Sequence, residues 1–168
     1  MNGESSEVIR LQSALEELDR TIQAEGAGSR AYFERGVIHG QLSDPANAVR
    51  DFTEAINLDG SNIDAYYNRG VAYAHLQQPI MAVDDFTTTL NMNPHHLDAY
   101  NNRAAAYLDL HQLPNAIKDA DEAIRLNDQV PTAYIIRGTA RALLGEEKLA
   151  KRDRDKARLI ITRQMQRE

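Results

Sequence analysis

Two residue types with strong charge chemistry recur together along this chain at one fixed interval. The arginines are Arg35, Arg69, Arg103 and Arg137, and the aspartates, which recur at the same interval, are Asp51, Asp85, Asp119 and Asp153. A row of guanidinium groups can bind carboxylates or phosphates, because each group is a planar fork of donors. The alternative is a series of structural ion pairs, which fix the register of packed elements. We favour the ion pairs, since the arginines and aspartates recur together.

The histidines suggest a second kind of chemistry, metal binding, but their spacing argues against it. His95 and His96 are adjacent in a predicted loop, and the chain has neither a His-Glu-x-x-His pattern nor a cysteine. Neighbouring loop residues seldom converge on one ion. We therefore predict no metal and no cofactor. Sparse serines and loop histidines also give no support for a nucleophilic triad, so we expect that the protein is not an enzyme.

The elements that carry these residues are predicted to be helices. Apolar residues recur at intervals of three and four and never at a sustained interval of two, which predicts an all-α fold without strands. Helix pairs are expected at about 29–41 and 45–58, 62–76 and 79–92, 97–110 and 113–126, and 130–144 and 147 onward. A further helix over 5–24 would start at Ser5 or Ser6 and end at Gly26-Ala27-Gly28.

These helices divide the chain into repeats, because connections of a few residues force each pair to pack antiparallel. The predicted repeats are 29–62, 63–96, 97–130 and 131–162. Residues 1–28 would form an N-terminal capping helix or half repeat. Residues 146–168 would form a long charged helix that includes the second helix of the fourth repeat and covers the end of the stack.

The second repeat has the clearest residue pattern, which consists of Tyr66, Gly70, Tyr73, Ala82, Phe86 and Pro94. With its 34-residue period, the pattern resembles the tetratricopeptide repeat family over about residues 29–162. The resemblance implies a right-handed superhelical solenoid of antiparallel helix pairs. Some positions depart from the pattern, namely Ala104 for the glycine, Ala120 and Arg154 for the phenylalanine, and His39 and Arg141 for the second aromatic residue.

The resemblance also implies a groove, because in this family the first helix of each pair lines the concave face. It places there Phe33, Glu34, Val37, Asp64, Tyr67, Asn68, Val71, His75, Asp98, Asn101, Asn102, Asp109, Ile135 and Ile136. The equivalent Asn68 and Asn102 are suited to clamp the backbone of an extended peptide, since an amide both donates and accepts. Tyr67 would anchor the peptide, and the acidic residues would favour a basic segment. The alternative is a solvated face that binds nothing specific.

One well-known variant of the family grips a C-terminal carboxylate with Lys and Arg. The places of those cations here hold Phe33, Val37, Asn68, Asp98 and Asn102, or Tyr67, Val71, Asn102, Thr132 and Ile136 if the frame begins one repeat later. This clamp is therefore not expected. We predict an adaptor or scaffold that binds a peptide segment of a partner protein in its groove. The alternative function is self-assembly, in which the N-terminal half repeat docks on another copy to form a homo-oligomer.

Charge and hydropathy limit the partners further. The net charge is −6, and it divides into −9 for residues 1–145, with 11 Lys and Arg against 20 Asp and Glu, and +3 for residues 146–168, with 8 against 5. An acidic body argues against nucleic acid as a partner. The basic tail could bind an anionic surface, but aspartates lie among its cations, so we interpret it as a solvated capping helix. No apolar run of membrane-spanning length and no signal peptide is recognisable, so we expect no membrane insertion and a cytoplasmic location.

Overall fold

The computed structural model describes residues 2–24 and 27–166 of the chain. In these ranges it has nine α-helices and no strand: α1 (Asn2–Gln23), α2 (Ser29–Gln41), α3 (Pro45–Leu58), α4 (Ile63–His75), α5 (Pro79–Met92), α6 (Leu97–Asp109), α7 (Leu113–Leu126), α8 (Pro131–Leu143) and α9 (Glu147–Met165). The predicted helices agree closely with these bounds, except at the N-terminus. There α1 begins at Asn2, so neither Ser5 nor Ser6 starts it. Gly26, predicted to help end that helix, lies outside the described residues.

The chain forms two compact units, Met1–Gln78 and Pro79–Glu168. In unit 1, α1 packs on α2, α2 on α3 and α3 on α4, and α2 also lies beside α4. In unit 2, α5 packs on α6, α6 on α7, α7 on α8 and α8 on α9, and α6 lies beside α8. Within each unit, the first helices of neighbouring repeats therefore stand next to each other.

The turn inside each helix pair has one geometry. Ser43, Gln77, His111 and Gly145, which occupy the same position in successive repeats, all have left-handed backbone, with φ of 58°, 57°, 55° and 79°. The residue after each of them donates its N–H back across the helix end, as in Asp44 N to His39 O at 2.8 Å and Glu146 N to Arg141 O at 2.9 Å. Such bonds satisfy carbonyls that a helix end leaves unpaired. Only one of the four residues is a glycine, so three of the turns carry a conformational cost.

The core consists mainly of alanines where helices approach closely. Ala48, Ala82, Ala116 and Ala150 occupy one repeat position and are fully buried. Gly36 shows how tight the contact is, because a Cβ added there would lie 2.8 Å from the Phe52 ring. The third repeat has Ala104 and Ala120 at the corresponding two positions. In the first repeat the small Gly36 thus accompanies the large Phe52, and in the third repeat two alanines of intermediate size take their places, as close packing requires.

Candidate functional site

The periodic arginines Arg35, Arg103 and Arg137 each pair with the aspartate that follows in the second helix of the same repeat. Arg103 donates from Nε to Asp119 Oδ2 at 2.7 Å and from Nη2 to Asp119 Oδ1 at 2.8 Å. The same two-bond geometry joins Arg35 to Asp51 and Arg137 to Asp153. Each of these aspartates is buried. The bonds link the two helices of a repeat and occupy one side of each guanidinium group.

The remaining nitrogen, Nη1, reaches back to the preceding repeat. Its acceptors are Asp19 for Arg35, Thr53 for Arg69, Thr87 for Arg103 and Asp121 for Arg137, at 2.7, 3.2, 2.9 and 2.5 Å. These acceptors are not among the predicted residues, although they recur at the same interval as the arginines and could have been found by it. Arg35, Arg103 and Arg137 therefore bridge the second helices on either side of their own helix.

Tyrosine rings cover the arginine heads. Arg103 lies 5.8 Å from the Tyr100 ring centroid and 5.9 Å from that of Tyr107, and Arg69 stands similarly against Tyr66 and Tyr73. The hydrogen bond to Asp51 is the largest influence that raises the pKa of Arg35 above its ordinary value. For Arg103, burial lowers the pKa, but the bond and attraction to Asp119 outweigh this and raise it overall. These guanidinium groups are held as cations inside the repeats, where the protein itself uses most of their hydrogen-bond donors. They are therefore poorly placed to bind a ligand.

The first and fourth repeats replace the second tyrosine by a basic residue. His39 lies 3.7 Å from both Asp44 and Asp51, and Arg141 Nη1 donates to Asp153 Oδ2 at 2.8 Å. Asp153 thus accepts from two arginines. These two departures from the repeat pattern therefore place an additional basic side chain beside a buried carboxylate.

An open cavity of about 500 Å³ lies between α2, α3 and α4 in unit 1. Its lining residues are Val37, Gly40, Gln41, Ser43, Pro45, Ala48, Phe52, Asn68, Val71, Ala72 and His75. Four of the predicted groove residues are therefore brought together, namely Val37, Asn68, Val71 and His75. The buried Ala48, Phe52 and Ala72 supply an apolar wall, whereas Gln41 and His75 are exposed. We call this surface the α2/α4 face.

The other predicted groove residues of unit 1 have different surroundings. Phe33 is half-buried, with its ring centroid 5.8 Å from that of Phe52, so it contributes to the core beneath the face. Glu34 is 2.6 Å from Arg30, which offsets its charge. Tyr67 is half-buried. Asp64 lies in the first turn of α4 and is exposed, so its carboxylate is accessible beside the face.

In unit 2, two predicted groove residues are buried instead. Asn101 and Ile136 are each only 6% exposed. Ile136 belongs to a core cluster with Ala104, Ala116, Ala120 and Ala140, where small residues leave room for it. Asn101 Oδ1 is buried without a hydrogen-bonding partner in the described part of the chain. The burial of these two residues differs from the prediction that they face a groove.

The remaining predicted groove residues of unit 2 are more accessible. Asp98, Asp109 and Ile135 are exposed, and Asn102 is half-buried. The two acids stand in the first and last turns of α6, so they lie at opposite ends of that helix. They therefore do not combine into one acidic cluster.

A second open space of about 750 Å³ lies between α1 and α2. Its lining includes Ala14, Leu18, Phe33, Val37 and Ile38. Ala14 and Leu18 stand one repeat period before Ala48 and Phe52, which is the spacing behind the prediction of an N-terminal half repeat. Within unit 1, α1 packs only against α2 and has no buried side chain among those described.

Within the described ranges, the histidines and acids do not assemble into a metal site. No group of three or more His, Asp or Glu in the described residues could hold a metal ion. His96 has another role, because its Nδ1 accepts from Ala99 N at 3.2 Å and caps α6. None of the described helices is long and apolar enough to cross a membrane.

Comparison with known proteins gives matches at the level of family and fold. Two family models, both described as tetratricopeptide repeat, match the chain. One matches residues 29–62 and 63–96, and the other matches residues 82–134. MamA from Desulfovibrio magneticus RS-1 has 20% identity, with 97% of this chain and 94% of that chain covered and a TM-score of 0.88. YrrB, described as having an unusual peptide-binding site, has 21% identity, coverage of 92% and 80%, and a TM-score of 0.84.

A third solved structure is the first tetratricopeptide domain of Spaghetti (RPAP3), bound to the HSP90 peptide SRMEEVD. It has 22% identity, covers 74% of this chain and 98% of that chain, and has a TM-score of 0.68. No curated protein matches the sequence. The predicted all-α repeat fold is confirmed by these matches, which at such identities speak for the fold alone.

Proposed function

Because the chain belongs to the tetratricopeptide repeat family, we propose that it is a protein-interaction adaptor that binds a segment of a partner on the α2/α4 face. The observation that carries the proposal is the open cavity of about 500 Å³ on that face. Ligand sites are typically concave, mostly apolar and furnished with a few polar groups. This cavity has the same character, with Val37, Val71 and Phe52 beside the Asn68 amide.

The polar groups suit a peptide backbone. A peptide amide needs both a donor and an acceptor, and the carboxamides of Asn68 and Gln41 each provide both. They line the same cavity from neighbouring helices. A segment lying across α2 and α4 would thus be held by backbone contacts and by side chains that enter the cavity. The exposed Asp64 favours a partner segment with some basic character.

The similar structures lend support at the level of the fold. YrrB and the Spaghetti domain are tetratricopeptide proteins described with a peptide-binding site or a bound peptide. We extend peptide binding to this chain as a proposal, with the adaptor acting in the cytoplasm and without enzymatic activity of its own. A thermal-shift screen with metals and nucleotides checks the last point, and a stabilising cofactor would contradict it.

The test begins with peptides selected from a random display library on the intact protein. Asn68→Ala should weaken the binding of a selected peptide about fivefold, because one lost hydrogen bond is worth roughly 1 kcal/mol. The melting temperature should stay the same. Asn57→Ala, at an exposed site on α3, is the matched control. Unchanged affinity in Asn68→Ala and in the double variant with Gln41→Ala would sink the proposed clamp.

Self-association is a second candidate, favoured by the open space between α1 and α2. A helix of another copy could pack there against Ala14, Leu18 and Val37, since a repeat helix normally has neighbours on both sides. The mass in solution should then exceed that of one chain and fall to it in Ala14→Arg. Removing residues 1–24 should have the same effect. A single-chain mass for the unaltered protein at high concentration would exclude this candidate.

A further inference from the structure

The lining of the cavity on the α2/α4 face includes a glycine with open space beside it. Gly40 lies in the last turn of α2, and a Cβ built on it would meet no atom within 4 Å. It does not have left-handed backbone, since the only glycine with positive φ among the described residues is Gly145. The conformation of the chain therefore does not require a glycine at position 40. Gly40 is thus needed neither for the conformation of a turn nor for the close approach of two helices.

Unit 2 contains the same arrangement two repeats later, and there the space is filled. The positions equivalent to Gly40 and Asn68 in that arrangement are Leu108 and Ile136. Ile136 is buried in a cluster with Ala116, Ala120 and Ala140, and Leu108 packs against that cluster. The alanines at 116 and 140 correspond to Ala48 and Ala72, which line the unit 1 cavity. Ala120 corresponds to Phe52, so part of the room for Ile136 comes from that smaller residue. Leu108, at the position of Gly40, shows that an aliphatic side chain is accepted beside the shared alanines.

The lining of the unit 1 cavity restricts its occupant further. It contains no Asp, Glu, Lys or Arg, and its buried members are Ala48, Phe52 and Ala72. A cationic side chain inside it would lose water without gaining an ion pair, which is costly. The amides of Gln41 and Asn68 can bind a peptide backbone but cannot neutralise a charge.

From these observations we propose that the cavity receives one large uncharged apolar side chain of the partner segment, of the size of leucine to phenylalanine. The inference rests on the proposed function and makes it more specific. The partner is then a peptide with an apolar anchor, in which any basic residues flank the anchor. In unit 2, Leu108 and Ile136 occupy the equivalent place from within the chain.

The test fills the cavity by Gly40→Leu in the full chain. Leucine at this position should raise the melting temperature by roughly 2 °C, because it replaces a glycine in a helix and covers apolar surface. The probes are N-acetyl-leucinamide and N-acetyl-phenylalaninamide, compared with N-acetyl-lysinamide. In amide NMR spectra the two apolar probes should shift the signals of Val37, Asn68 and Val71 at millimolar concentration, and Gly40→Leu should weaken this binding at least tenfold.

Ala46→Leu adds the same side chain at an exposed site on α3 outside the lining and serves as the matched control. Display-selected peptides complete the test, since they should share one apolar position and lose at least tenfold affinity in Gly40→Leu. Equal shifts with N-acetyl-lysinamide, or apolar binding that survives Gly40→Leu, would overturn the inference. Selected peptides that bind this face without an apolar position would overturn it and leave the proposed function intact. If the apolar probes bind but no peptide does, both the proposed peptide binding and the proposed apolar anchor of the partner would be refuted.

Discussion

Replacing Arg103 by methionine should destabilise unit 2 by about 3 to 4 kcal/mol, because Asp119 would stay buried without its cationic partner. Asp119 is 3% exposed and accepts two bonds from Arg103. Removing one member of a buried ion pair costs about 3–5 kcal/mol. Methionine keeps much of the packing between Tyr100 and Tyr107, so most of the loss comes from the charge.

The assay is urea unfolding followed by far-UV circular dichroism, with Arg125→Met as control. Arg125 pairs with Glu122 on the surface, where the two side chains are 60% and 38% exposed. Such pairs contribute about 0–1 kcal/mol. The double variant Arg103→Met with Asp119→Leu should recover most of the stability, because it leaves no unpaired charge. A loss below about 1 kcal/mol for Arg103→Met, or one equal to that of Arg125→Met, would refute the structural role of the pair.

Three further predictions concern single positions. Gly36→Ala should destabilise the protein by about 1–3 kcal/mol in the same unfolding assay, because the new methyl group would overlap the Phe52 ring; a neutral effect would show that the ring moves freely. His111→Gly should stabilise it by roughly 0.5 kcal/mol, since glycine relieves the cost of φ 55°; a lower midpoint would contradict this. Asp44→Ala should cost about 1 kcal/mol at pH 7 by removing the α3 cap. The Asn47 side chain and N–H lower the pKa of Asp44 in the folded state, so its contribution is present above the unfolded value of about 3.9 and is lost as the pH falls below it. A difference between Asp44→Ala and the unaltered protein that stays constant from pH 7 to pH 3 would exclude this linkage.

The helix bounds could be predicted closely because the same boundary signals recur in successive repeats. Pro45, Pro79 and Pro131 stand at helix starts, and the connections between helices are too short to allow large errors. The N-terminal helix lacked this support, since a serine can start a helix or lie within one. Asn2 begins it, although Ser5 offered a plausible cap.

The turn conformation was harder to recognise from the sequence. Left-handed backbone is usually signalled by glycine or asparagine, but three of the four turns have Ser43, Gln77 and His111 instead. The repeated bonds across the helix ends hold these residues in place. Tertiary structure thus outweighed local preference, and only Gly145 gave the expected signal.

The candidate site was predicted in part, for a reason that lies in packing. The repeat frame assigns the same face to equivalent positions, and Asn68 and Ile136 are equivalent. Asn68 lines an open cavity, whereas Ile136 is buried, because the space around Ile136 is filled by its neighbours. Unit 1 has Gly40 and Phe52 where unit 2 has Leu108 and Ala120, and both changes contribute to this difference. Their effect depends on contacts among three helices, which periodicity alone does not show.

The role of the α2/α4 face can be tested most directly by mapping a display-selected peptide on the ¹⁵N-labelled protein by NMR. We predict that the amide signals of Val37, Gly40, Asn68, Val71 and His75 shift on binding, while those of the α9 surface stay in place. Shifts confined to α9, or to the space between α1 and α2, would contradict the assignment of the α2/α4 face as the partner-binding surface.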